Sequence, residues 1–154
     1  MVLTYEKHFD IMILSISNRS FSMLVIKPIV DKSEQNSICE ECGIEFKEAL
    51  FAYKAYDNGN LLACSQFDIL QEHAVIDSMR QVIGTEFDFE GMFILGRAVL
   101  NFLDLCGVET AVFNPQTEQE ARLAKAIGFK DENGVLTAHL KGMFDGKCEG
   151  HCDG

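Results

Sequence analysis

The sequence predicts an α/β domain of the α+β type: a mixed, mostly antiparallel central sheet with helices on its faces. Three observations carry that expectation. The first half of the chain is a series of short apolar runs separated by polar turns, the pattern of strands joined in hairpins. The segment from Phe89 to Leu105 switches to helical periodicity with an almost wholly apolar circumference. Beyond it the order becomes strand, helix, strand, which sets helices against the faces of a mixed sheet.

The elements follow in order. Phe9 to Ser17 and Phe21 to Ile29 read as two strands around the polar turn Ser-Asn-Arg-Ser. Asp31 with Glu34, ahead of Ile38, is the start signal of a short capped helix that Gly43 ends. Leu50 to Tyr56 and Leu61 to Ile69 flank Asp-Asn-Gly-Asn. Asn58-Gly59 supplies the positive φ angles that a type I′ hairpin needs. Ala74 to Ile83 reads as a further strand, turning back through Gln71-Glu72-His73. In the long helix the polar residues Glu90, Arg97, Asn101 and Asp104 form one narrow stripe, so most of its circumference should be buried. Gly107 ends it, and Val108 to Phe113 is a strand. Thr117 with Glu120 makes a capping box before a helix that Gly128 ends, and Val135 to Leu140 is the last strand.

The chain has 154 residues, 47% of them hydrophobic and 24% charged, a globular composition with enough apolar surface for one core. No Pro/Gly/Ser linker or repeat divides it. The expectation is one domain over 1–154, with 1–20 an extra N-terminal strand or arm and 145–154 a tail bearing Cys and His. A net charge of −11 argues against nucleic acid and against an anionic membrane, since both recruit clustered Lys and Arg. No run approaches the roughly 18 apolar residues of a membrane span, and no cleavage site follows the first apolar run. These features point to a cytoplasmic protein whose six cysteines are reduced.

From Phe21 to Phe144 the sequence resembles the GNAT superfamily of N-acetyltransferases. The resemblance rests on the Asn-Gly hairpin, the long helix entered after the fourth core strand, "FLDLCGVETAVF", and "ARLAKAIGF" with its Gly-Phe corner. It implies acetyl-CoA as cofactor, held by a Gln/Arg-x-x-Gly-x-Gly/Ala loop whose backbone N–H groups, aided by the helix dipole, grip the pyrophosphate. Counting back from Gly107 sets the first glycine of that loop on Gly91. Asp88 then stands at the Gln/Arg position and Phe93 at the second small position. A second register sets Gln81 and Gly84 on the motif but leaves Glu86 where a small residue belongs. The implied cofactor contacts are Val82 and Ile83 at the end of the fourth core strand, and Gly91, Gly96 and Arg97 on the helix. Carboxylates at Asp88, Glu86 and Glu90 repel a diphosphate, and Phe93 obstructs close backbone approach. The reading therefore includes weak acetyl-CoA binding. The alternative for Asp88 and Glu90 is helix capping, and for Arg97 the solvent stripe of its helix.

The resemblance also implies a catalytic base on the fourth core strand. Asp77 is the candidate, and Glu86 a more distant one. The tyrosine many family members use as general acid is replaced by Ala124, which has no proton to give. The implied reaction moves an acyl group to an amine of a small molecule or peptide, and the acidic composition favours a cationic acceptor. The alternative is a non-catalytic descendant of the fold that binds a ligand or a protein.

The cysteines carry a separate expectation. Cys39-x-x-Cys42 has metal-knuckle spacing, and Cys148, His151 and Cys152 crowd the tail. Brought together, they would offer a tetrahedral zinc site of Cys₄ or Cys₃His type. The alternative is unpaired thiols on a helix and in a tail. Cys64 and Cys106 sit in apolar patterns and read as core fillers.

Overall fold

A computed structural model describes residues 2–5, 12–16 and 22–145. In chain order the elements are β1 (Val2–Tyr5), β2 (Met12–Ile16), β3 (Ser22–Pro28), α1 (Lys32–Cys42), β4 (Phe51–Asp57), β5 (Asn60–Leu70), β6 (His73–Gln81), α2 (Phe89–Leu105), β7 (Thr110–Phe113), α3 (Glu118–Ile127), β8 (Lys130–Glu132) and β9 (Val135–His139). The strands form one sheet in the order β1-β2-β3-β4-β5-β6-β7-β9-β8. Every described pairing is antiparallel except β6 with β7.

Local chemistry accounts for most boundaries. Asp31 caps α1 by accepting the Ser33 N–H, and Gly43 ends it in the left-handed region at φ +69°. Asn58 and Gly59, at φ +52° and +86°, make the two-residue turn between β4 and β5. Asn58 also bonds both ways to the backbone of Met23, fastening that turn to β3. Thr117 caps α3 through the Glu120 N–H. β6 stops at Gln81, short of the expected Ile83, because the Ile83 N–H turns to the carbonyl of Glu41 at the end of α1. β7 begins at Thr110 rather than Val108, whose N–H closes the end of α2 on Leu103. β1 and β8 were not anticipated.

The sheet separates two apolar clusters, and alternate residues of β4 and β5 face opposite ways into them. Tyr53, Ala63 and Phe67 join Leu95, Val99 and Leu103 of α2 and Leu123 and Ile127 of α3. Ala52 and Cys64 join Ile38, Cys39 and Cys42 of α1 in a smaller cluster. Between α1 and the sheet lies a buried polar tie, in which Gln66 exchanges hydrogen bonds with Gln35, the Lys47 N–H and the Glu45 carbonyl.

Candidate functional site

β6 and β7 run together only from His73/Thr110 to Ile76/Phe113. Immediately beyond, Ser78 pairs with Gln66 and Ile76 with Phe67 on β5, so Asp77 is an extra residue opposite nothing: a β-bulge. The bulge bends β6, and its remaining length to Gln81 has β5 on one side and no strand on the other. The gap opens into a cavity of about 570 Å³ between the β6 edge, the end of α1 at Cys42-Gly43, Met92 of α2 and the start of α3.

One ion pair spans this cleft. Arg80 Nε donates to Glu120 Oε2 at 2.7 Å, and Arg80 Nη1 reaches the Gly43 carbonyl at 3.2 Å. Glu120 is nearly buried, and its other oxygen accepts the Gln116 N–H at 2.6 Å. Arg80 thus ties together β6, the end of α1 and the first turn of α3.

The loop after β6 is organised by Gln81. Its amide donates to the Thr85 hydroxyl and the Glu86 carbonyl, and its oxygen accepts the Asp88 N–H at 2.9 Å. Asp88 then caps α2, accepting the Gly91 N–H at 3.0 Å on its side chain. A carboxylate already attached to the chain therefore sits at the positive end of the α2 dipole, where a bound phosphate would otherwise gain most. Asp57, Glu86, Asp88 and Glu90 border a second depression there of about 550 Å³.

The residues expected from sequence fall in several places. Asp77 is the bulge residue where β6 and β7 part, outside the lining of the cavity, with Lys47 Nζ 2.9 Å from its carboxylate; that hydrogen bond raises the Lys47 pKa. Glu86 lies on the exposed loop and borders the acidic depression rather than the cleft. Val82 and Ile83 line the cleft, but their N–H groups donate to the Leu62 and Glu41 carbonyls and are not available to a ligand oxygen. Gly91 has Leu62 and Asp88 so close that a Cβ would meet them at 2.7 and 2.8 Å. Gly96 is where α2 and α3 touch: a Cβ there would lie 2.1 Å from Ile127 Cδ1. Arg97 bonds the Ile127 carbonyl at 2.9 Å, satisfying an orphan acceptor at the end of α3, and stacks on Phe144 at 4.7 Å. Burial lowers its pKa. The structure thus brings Val82 and Ile83 to the cleft, leaves Asp77 at the bulge outside its lining, and gives Gly96 and Arg97 contacts between helices.

Cys39 and Cys42 are buried and turn toward Cys64 in the α1 cluster. The Cys39 thiol is lowered by its hydrogen bond with Cys64, which is itself raised, and burial pushes Cys42 up to about 12. Cys148, His151 and Cys152 lie outside the described residues. Among the described residues no group of three or more His, Cys, Asp or Glu is placed to hold a metal, so the expected zinc site gains no support. No helix among them is long and apolar enough to cross a membrane.

Sequence reasoning missed Arg80, Glu120 as its partner, and Lys47. The capping box marks Glu120 as the inward-reaching residue of α3, but nothing local links it to a strand residue 40 positions earlier.

No protein-family model and no curated protein matches the sequence. Solved structures do match it. The ribosomal-protein-S18-alanine N-acetyltransferase from Escherichia coli superposes with a TM-score of 0.60 at 12% identity, over 77% of this chain and 94% of that one. A Bacillus subtilis acetyltransferase in complex with CoA gives 0.59 at 13%, over 75% and 97%. A GNAT family acetyltransferase from Brucella melitensis in complex with acetyl-CoA gives 0.56 at 15%, over 76% and 88%. At these identities the likeness is one of fold.

Proposed function

We propose, from the premise that this chain has the GNAT fold, that it is an N-acyltransferase moving an acyl group from acetyl-CoA to a cationic amine. The observation that carries the reading is the parting of β6 from β7 at the Asp77 bulge, beside a cavity of about 570 Å³. When bound, the cofactor supplies an activated acyl thioester. The cavity is large enough for a pantetheine-like chain lying along β6, whereas the loop before α2 lacks a cradle for the diphosphate. Weak cofactor binding is therefore part of the proposal.

In this reading Asp77 accepts a proton from the acceptor's ammonium, leaving the nitrogen a lone pair with which to attack. Lys47 orients that carboxylate through its hydrogen bond. Ala124 can give no proton to the leaving thiol, so positioning carries most of the catalysis. The acidic depression at Asp57, Glu86, Asp88 and Glu90 supports a cationic acceptor, and the free thiols at Cys39, Cys42 and Cys64 support a cytoplasmic setting.

A second reading, a binding module without catalysis, is favoured by the Arg80–Glu120 bridge across the cleft and by the engaged amides of Val82 and Ile83. Calorimetric titration with acetyl-CoA, followed by mass spectrometry of a polyamine, an aminoglycoside and a basic peptide incubated with both, separates the two. Saturable binding with an acetylated acceptor supports the enzyme, and Asp77→Asn then lowers turnover. Absence of binding leaves the module.

A further inference from the structure

At the end of the sheet where β3 stops and β4 begins there is a second cavity of about 300 Å³, small and mostly apolar. Three of its walls are rings: Phe51, Phe67 and Phe102, with Tyr53 between the last two. Neighbouring ring centroids lie 5.4–6.1 Å apart, mostly tilted, the spacing at which an added ring finds offset or edge-on partners. Phe51 is 49% exposed, unusual for a large aromatic at the head of a central strand. The volume is at the lower end of the range for ligand pockets and about twice that of an engineered cavity that takes benzene.

The same cavity is bordered by Lys32, the first residue of α1. Its ammonium donates to the Leu50 carbonyl at 2.6 Å and to Gln35 Oε1 at 2.9 Å, two neutral acceptors. An ammonium has three donors, so one remains. The carboxylates nearby in sequence are committed elsewhere: Asp31 caps α1, and Glu34 pairs with Lys54. In a chain with 24 acidic and 13 basic residues, a lysine held, among the described residues, by neutral acceptors at the lip of an aromatic slot stands out.

We infer that this cavity is a binding site for a small aryl carboxylate, its ring among Phe51, Phe67 and Phe102 and its carboxylate on Lys32. The site is separate from the cleft. Phe51 pairs with Phe67, which pairs with Ile76, on the half of β6 before the bulge, whereas the cleft begins after it. The inference therefore does not rest on the acyl-transfer reading.

The test is titration of the ¹⁵N-labelled protein with 3-phenylpropanoate and, in parallel, with uncharged 3-phenylpropanamide, following backbone amide shifts. The acid should give saturable shifts centred on residues 28–32 and 51–53, and the amide should bind at least about tenfold more weakly. Lys32→Gln should impose the same loss on the acid while leaving the amide unchanged, and Lys32→Arg should restore it. Phe51→Ala, at the half-exposed rim, should weaken both compounds. Absence of saturable shifts in the wild type, shifts centred elsewhere, or equal affinities for acid and amide would overturn the inference. Should Lys32→Gln not fold, the comparison of acid with amide on the wild type and on Phe51→Ala still decides.

Discussion

Substituting Gly96 by alanine sets two effects of opposite sign against each other. In an exposed helix interior the change would stabilise by about 1 kcal/mol, because glycine has more backbone freedom to lose. Here the new methyl would stand 2.1 Å from Ile127 Cδ1, 2.9 Å from its Cγ1 and 3.4 Å from Met79 Sδ. Normal carbon contacts are nearer 3.5–4.0 Å, so Ile127 must shift by more than an ångström. It is completely buried and cannot swing into solvent. Overpacking of this kind costs about 1–3 kcal/mol, so the net expectation is a loss of up to about 2 kcal/mol. Urea unfolding followed by circular dichroism suits a chain without Trp. With m near about 2 kcal/mol/M, the midpoint should fall by up to about 1 M. Ile127→Val removes the nearest atom at a cost of about 0.5–1.5 kcal/mol on its own. The double variant should then be more stable than the sum of the singles by about 1 kcal/mol. A Gly96→Ala protein more stable than wild type, or a double variant that is merely additive, would refute the packing argument. Reduced acetyl-CoA affinity with unchanged stability would return Gly96 to the cofactor.

Other expectations can be checked alongside. Asp88→Asn keeps the cap acceptor for Gly91 but removes its charge. A like-charge contact at ~4 Å costs on the order of 4 kcal/mol at an effective dielectric near 20, and a third of that is about tenfold in affinity. Calorimetry should therefore show tighter acetyl-CoA binding, with stability altered by less than about 1 kcal/mol, and unchanged binding would remove the repulsion argument. Glu120→Ala deletes the acceptor for both Arg80 and the Gln116 N–H and should cost on the order of 2 kcal/mol by urea denaturation, with Glu120→Gln recovering part of it. Alkaline stability follows from the thiols. Burial raises Cys42 from 9.0 to about 12, so the fold favours its protonated form. That contribution is complete below the ordinary thiol range and is lost as pH rises from 9.0 toward about 12, at about 1.4 kcal/mol per unit. Cys64 is raised by its hydrogen bond to Cys39 and by burial, while Cys39 is lowered by the same bond and acts against it, so the expectation rests on Cys42. Unfolding free energy should fall as pH rises above about 9, less steeply in Cys42→Ala, and a flat profile would contradict the assignment.

The parts of the fold readable from sequence are those whose causes are local. Asp31 and Gly43 bound α1, Thr117 and Gly128 bound α3, and Asn58-Gly59 sets the hairpin, each through bonds within a few residues. β8, Lys-Asp-Glu, has no apolar face, and only pairing with β9 makes it a strand. The site was readable in outline only. The Asp77 bulge depends on register against β5, and the Arg80–Glu120 pair joins residues far apart in the chain. Gly96 and Arg97 look like cofactor positions when counted along the helix. In the fold both also meet Ile127, Gly96 against its side chain and Arg97 at its carbonyl. Asp88 reads from sequence as both an obstacle and a cap; the cap is in place, and the Asp88→Asn titration addresses the obstacle.

The lone parallel pairing also bears on the order in which the molecule assembles. β4, β5 and β6 form a meander of sequence neighbours whose contacts close short loops, the kind that form early. β7 can join β6 only after the chain has travelled the whole of α2 and returned. The cleft is incomplete before that step, because it opens where β7 parts from β6. Its opposite wall, α3, follows β7 in the chain and comes later still. This predicts a transition state with high φ-values for Ala55→Gly and Ala63→Gly and values near zero for Ala111→Gly and Leu136→Ala. High values at Ala111 would mean that the crossover nucleates folding instead. On the predicted order, a nascent chain released before β7 would hold a folded meander with no pocket, and its ligand could not rescue it.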